Sequence, residues 1–405
     1  MTTKLWTKNF LFLLFSNALL FAGFYILLPT LPIYVAHNGG TGTQIGLISG
    51  VFGFAAIFIR FFTDFGIQKL GKKTCLLVGL GISFLCVASY GIFSSANVMI
   101  AIRVLHGFGI GLATTFFATI VSDIVPYSRR GEGMGYFGLG TTVAIALAPA
   151  AGVWLVNDYG SFSLMFTIAT ISQIIALIWT LFCSSPKVRV DENLIIEESH
   201  SIFAKFIEKG IRFPAFLTML FGVGYSSVIA FIPLLAQEAH IAKPGHFYLV
   251  GTLCIILSRG ISGKLFDKKG YAWVIFPGAV VLLGGLFMLT KTNSLTMLLE
   301  VAVLYGFGAG MLHPALQTWM LNLVPGSRRS AASATFYNML DLGTSVGTIL
   351  LGIAAEKTGF IGMYMYAAGA IGIFLLAFAS YVLFIGNSEK VIKDVELSHA
   401  LPKSH

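Results

Sequence analysis

The chain has 405 residues, of which 56% are hydrophobic and 11% charged, against roughly 25% charged in an ordinary soluble domain. A water-soluble core has no use for that much apolar surface, so the composition excludes an ordinary soluble enzyme or binding module. The formal charge of +9 would suggest nucleic acid in a soluble protein, but the placement of the charges, taken up below, excludes that partner.

Apolar runs of about 20 residues, long enough to cross a bilayer as helices, occur at 10–36, 44–64, 74–94, 97–121, 134–157, 163–184, 213–236, 247–266, 272–290, 295–319, 331–354 and 361–386. The first run contains Pro29 and Pro32, is too long for a signal peptide and lacks a small-residue cleavage site; it is read as a retained helix. It also carries Asn17, and the seventh run carries Pro233 near the corresponding end. Prolines there are expected to bend or finish each helix, freeing backbone carbonyls that must be satisfied in a cavity.

The link after the second run, RFFTDFGIQKLGKKT, is echoed after the eighth as RGISGKLFDKKGYA. GIQKLGKKT is not a phosphate-binding loop, because Lys73 stands where Ser or Thr would hold magnesium and no strand precedes it. The glycines of GFGIG lie inside an apolar helix, which excludes dinucleotide binding. Residues 185–212 form the longest interior polar link, read as a cytoplasmic connector with an amphipathic helical portion. It divides an N-terminal six-helix bundle, 1–184, from a C-terminal one, 213–386, followed by a cytoplasmic tail, 387–405. Cys75, Cys86, Cys183 and Cys254 are scattered through apolar runs without ligand-like spacing and read as core residues, so no metal site is assigned.

The two bundles are repeats. Gly107, Gly109 and Gly111 recur 199 residues later as Gly306, Gly308 and Gly310; Pro126 recurs as Pro325, and Arg129 and Arg130 as Arg328 and Arg329. The same offset carries Arg60 onto Arg259 and Gly71 onto Gly270. In a membrane protein a repeat of this length implies two similar bundles with a pathway between them. With the N-terminus inside, twenty Lys and Arg fall in cytoplasmic segments, three outside (Lys243, Lys291, Lys357) and three within apolar runs (Arg60, Arg103, Arg259). That asymmetry is the signature of membrane orientation, and it predicts a multi-pass plasma-membrane protein with both termini cytoplasmic.

These features resemble the major facilitator superfamily over essentially the whole chain. Its signature between helices 2 and 3 has Gly, Asp four residues on, then Gly and basic residues, kept here as Gly263, Asp267 and Gly270. In the first half Asp64 stands at the Gly position and Gln68 at the Asp position. The resemblance thus implies a displaced gating carboxylate, either Asp64 or Asp123 near Arg129 and Arg130. RVLHG, 103–107, resembles the helix 4 signature and implies a coupling or substrate role for Arg103. ALAPAAG, 146–152, is similar to the Gly-Pro-x-x-Gly motif of proton-driven exporters, with Ala148 for the first Gly and Pro149 and Gly152 in place.

The implied fold is all-α and polytopic, with twelve transmembrane helices in two homologous six-helix bundles that rock about a midplane site. The chain is similar to bacterial twelve-helix drug:proton antiporters and to exporters of opine metallophores. That similarity implies proton-coupled export of small organic solutes, drug-like amphipathic compounds or a metallophore, by a monomer without cofactor or catalytic residues. Uptake by the same fold, and a non-transporting receptor or scaffold, are the alternatives.

Only Glu300 and Asp341 of seventeen acids lie clearly inside apolar runs, where an ionisable group is costly and by default functional. Asp341, ten residues into its helix, is the expected site of the coupling proton, for which a cationic substrate would compete. Arg103 keeps its proton and can hold a carboxylate or tune a neighbour; His106, one turn on, is a further titrating candidate. Asn17, Tyr25, Tyr136, Tyr225, His313, Tyr337 and Asn338 each add a polar group inside an apolar run and are expected to line the substrate cavity.

Overall fold

The computed structural model describes residues 4–126, 130–183, 207–208, 210–324 and 328–400. Its helices are α1 (Lys8–His37), α2 (Gly42–Arg60), α3 (Thr63–Leu70), α4 (Lys72–Tyr90), α5 (Ala96–Ile124), α6 (Arg130–Asn157), α7 (Phe162–Leu181), α8 (Arg212–Glu238), α9 (Gly245–Lys269), α10 (Ala272–Leu289), α11 (Leu295–Asn322) and α12 (Arg329–Ala400). Eleven helical stretches among the described residues are long and apolar enough to cross a membrane. One of them, Ala331–Phe384, has 54 residues. As a single helix it would run about 81 Å at 1.5 Å per residue, far beyond a ~30 Å hydrocarbon layer. At Gly359 the backbone turns to φ 75°, ψ 169°, so α12 crosses twice and the crossings number twelve. α12 also continues to Ala400, through much of the segment read from the sequence as a tail.

Side-chain oxygens begin several helices. Thr41 and Gln44 form a reciprocal capping box at α2, while Ser161 and Ser294 accept the backbone N–H of Leu164 and Met297. Gly71 and Gly270, a repeat pair, both sit at positive φ, 79° and 85°, where the chain turns into α4 and out of α9. Only glycine takes that backbone without strain, which explains why both halves carry it. The prolines do not finish their helices. Pro29, Pro32 and Pro233 lie inside helices that run on to His37 and Glu238; neighbouring helices can accommodate the missing N–H in a membrane.

The repeated glycines serve one purpose twice. A Cβ on Gly107 would press on the Phe52 carbonyl of α2, and one on Gly306 on the Gly251 carbonyl of α9. A Cβ on Gly109 would lie 2.9 Å from the Gly79 carbonyl of α4, and one on Gly308 2.9 Å from the Gly278 carbonyl of α10. α5 and α11 therefore pack backbone to backbone on equivalent neighbours, the small-residue packing that associates helices where water supplies no driving force. Large apolar side chains such as Leu85, Ile261 and Leu376 lie exposed on the outside. The four cysteines are buried as free thiols.

Between halves, α2 meets the first part of α12, α6 meets α9, and α1 meets α8. The α2 contact is made by Gly42, Gly46, Gly50 and Gly53, facing Gly352, Thr348 and Ser345. Beyond it Thr43 donates its N–H and hydroxyl to the Glu356 carboxylate, closing the end that carries the α1–α2 turn. At the opposite end, Glu208 of the connector is buried and holds Arg328 in a bidentate ion pair at 2.8 Å. Most of the connector, including its expected amphipathic portion, lies outside the described residues.

Candidate functional site: a cavity between the two halves

A cavity of about 1270 Å³ lies between the halves, lined from α1, α2, α5, α6, α8, α9, α10, α11 and α12. Its lining runs from Tyr25, Leu28 and Ile229 at mid-depth to Phe61, Phe137 and Phe266 near the end that carries α3. The glycine seal of α2 closes it toward the α1–α2 turn.

One ion pair crosses the cavity. Arg60, the last residue of α2, donates from Nη1 to Asp341 Oδ2 of α12 at 2.7 Å. The two side chains are 27% and 31% exposed. An ion pair this accessible stabilises by on the order of 1 kcal/mol. The sequence reading had put Arg60 with the link residues and Asp341 with the embedded acids, and folding makes them partners.

In the cavity wall Arg103 is 2% exposed. Its Nε donates to the Ile48 carbonyl at 3.1 Å, and Nη1 lies 3.3 Å from His106 Nδ1. Its guanidinium carbon stands 4.6 Å from the Phe52 ring centre and 5.5 Å from that of Phe24, so aromatic faces carry part of the charge. His106 is fully buried, 3.3 Å from the Tyr90 hydroxyl, and its Nε2 has no hydrogen-bond partner. Arg103 lines the cavity, whereas His106 is absent from the described lining.

Of the expected cavity residues, Asn17, Tyr25, Tyr225, His313, Tyr337 and Asn338 all line it. Asn17 donates to Thr141 Oγ1 at 2.9 Å, and His313 meets Phe336 edge to face at 5.0 Å. Two expectations fail. Tyr136 is exposed on α6 and packs against Trp6, 4.8 Å between ring centres, away from the cavity. Glu300 is exposed on α11, only five residues past the helix start, and does not line the cavity. Sequence position made Glu300 look embedded; one and a half turns from a helix end, its carboxylate can reach the interface.

Among the link residues, Arg259 lines the cavity. Asp123 accepts from Lys72 Nζ at 2.7 Å, tying the end of α5 to the start of α4. Arg129 lies outside the described residues, as do the side chains of Asp64, Gln68, Arg130 and Asp267. Pro149 sits inside α6, and a Cβ on Gly152 would come within 2.7 Å of the Ile26 carbonyl, so this motif seats α6 on α1. The sequence reading missed the α2 glycine face, whose signal was glycine every fourth residue at 42, 46 and 50.

A family model described as the Major Facilitator Superfamily matches residues 13–348. The Quinolone resistance protein NorA of Staphylococcus aureus is 22% identical over 381 residues, covering 91% of this chain and 94% of that protein. The Staphylopine export protein of Staphylococcus aureus is 23% identical over 375 residues, covering 88% and 91%. The crystal structure of the nucleoside transporter NupG superposes with a TM-score of 0.76 at 16% identity, covering 92% of this chain and 99% of that one; at that identity the likeness shows the fold.

Proposed function

From the premise that this chain belongs to the Major Facilitator Superfamily and is a multi-pass membrane transporter of small molecules, we propose that it exports small organic solutes in exchange for protons. The observation that carries this reading is the Arg60–Asp341 pair, an ion pair that ties the two halves together inside the solvent-accessible cavity. A guanidinium keeps its proton, so Asp341 is the member that can change charge. A proton reaching Asp341 neutralises the carboxylate and frees Arg60; its departure restores the tie. Exchange follows if the carrier holding neither proton nor solute switches poorly. The segregation of basic residues supports a cytoplasmic position for the termini and α3; in that orientation the cavity described above opens toward the cytosol, where an exporter loads. Similarity to a quinolone-resistance protein and a staphylopine export protein supports the outward direction. Residues of one chain line the cavity from both halves, which supports reading the working unit as a monomer.

Inside-out vesicles with an imposed proton gradient test this. Solutes that accumulate in the medium of producing cells but not of a deletion strain should be concentrated in the vesicles, and Asp341→Asn at equal protein level should abolish the gradient-driven component. Accumulation confined to right-side-out vesicles would establish uptake; no transport in either would return the protein to a receptor or scaffold. Undiminished gradient-driven transport by Asp341→Asn would remove that residue from coupling.

A further inference from the structure

The charges that line the cavity do not balance among the described residues. Among the described residues that line it, the formally charged ones are Arg60, Arg103, Arg259 and Asp341, three guanidinium groups against one carboxylate. Arg60 takes that carboxylate. Arg103 and Arg259 have no carboxylate within salt-bridge distance among the described residues. Arg103 is 2% exposed, with Nε on a carbonyl and Nη1 on an imidazole; both are neutral groups that satisfy geometry without cancelling charge. A buried cation without a counter-ion is costly and tends to be paired.

The repeat shows where the balance was lost. LGTTV at 139–143 recurs as LGTSV at 342–346, an offset of 203, four more than the 199 of the pairs above, and this alignment sets Gly138 opposite Asp341. Arg60 and Arg259 are likewise opposite each other, and all four positions line the cavity. The half that carries Arg259 thus has its basic residue, while the place of its acid is taken by glycine.

We propose that the missing negative charge belongs to the solute: the cavity takes an amphipathic organic anion, its acidic head held by the accessible Arg259 and its apolar body against the aromatic wall of Tyr225, Phe52 and Phe24, where Arg103 adds positive potential. Phe24 and Phe52 flank Arg103 at 5.5 and 4.6 Å, so positive potential extends along the apolar part of the site. This rests on the cavity being the transport site, and it replaces the cationic solute expected to compete at Asp341. An anion and a proton favour each other here, so exchange requires that the carrier holding both switches poorly. Anion uptake in right-side-out vesicles would therefore defeat the export reading and leave the anion site standing.

The test is equilibrium binding, without any gradient, to the full chain in nanodiscs. The probes are 2-naphthylacetate, its neutral amide 2-naphthylacetamide, and the cation 2-(2-naphthyl)ethylammonium. The carboxylate should bind at least about tenfold more tightly than either, a difference of about 1.4 kcal/mol. Arg103→Gln and Arg259→Gln should each reduce that preference severalfold, and Arg103→Lys should retain part of it. Because Arg103 also holds the Ile48 carbonyl, its Gln variant risks misfolding; the accessible Arg259 carries the test by itself. A carboxylate that binds no more tightly than its amide, or a preference that survives Arg259→Gln undiminished, overturns the proposal.

Discussion

Arg60 and Asp341 form the contact on which the functional reading turns, and their coupling can be measured separately from either residue's importance. If they act as one switch, Arg60→Gln and Asp341→Asn should each lower gradient-driven transport by about tenfold or more, and the double variant should do no worse than the stronger single. Groups in direct contact depart from additivity in this way, whereas independent sites multiply their losses. Multiplicative losses in transport rate would dissolve the pair as a functional unit. Glu300 gives the contrast: exposed on α11 and away from the cavity, it should tolerate Glu300→Gln with transport within about twofold, as expected for surface changes that break no buried contact.

Helices in this molecule meet through glycine, and the two glycine sets have different consequences. Gly107 and Gly306 seat α5 and α11 within their own halves. A larger residue at either should destabilise by about 1–3 kcal/mol through overpacking, read as a lower melting temperature in detergent. Gly284, whose Cβ direction is open within 4 Å, should accept alanine without loss; equal melting temperatures for Gly107→Val and Gly284→Ala would refute the packing account. The α2 set lies between halves, so its substitution biases a conformation instead. Gly46→Leu would collide with the Thr348 carbonyl of α12, 2.5 Å from where a Cβ must stand, and should favour the state open at the α1–α2 end. A cysteine at Ser49, on the cavity wall, should then label several times faster with an impermeant reagent added from that side. Unchanged labelling would mean the glycine face is not a gate.

At the scale of the molecule, the direction of the cavity depends on which face is cytoplasmic. His37, Lys243 and Lys357 belong to the turns at the closed end, while Lys73 and Arg329 belong to the opposite end with Arg130; Lys209, expected on that side from the sequence, lies outside the described residues. In a background lacking Cys75, Cys86, Cys183 and Cys254, single cysteines at the first three positions should react with an impermeant thiol reagent in intact cells. Those at the other four should react only after permeabilisation. Reaction of the Arg130 position in intact cells would invert the orientation and turn the described cavity toward the outside.

The sequence by itself determined the membrane class, the twelve crossings and the two-fold repeat, because each is written in local terms: run length, glycine spacing and the side on which basic residues fall. It also picked out six polar residues of the cavity wall, Asn17, Tyr25, Tyr225, His313, Tyr337 and Asn338, since a polar group inside an apolar run has few places to go other than a wet interface between helices. Depth did not translate into direction, however. Glu300 and Tyr136 satisfy the same sequence test as Asp341 and Tyr225, yet they lie on outward-facing arcs of α11 and α6; which arc of a nearly all-apolar helix faces inward is fixed by its neighbours. Only the tertiary structure decided that Arg60 meets Asp341 across 281 residues of chain and that Arg103 and Arg259 meet no carboxylate among the described residues. Pairing is set by how the two halves close on each other, and a linear repeat that preserves residue types carries no record of that closure.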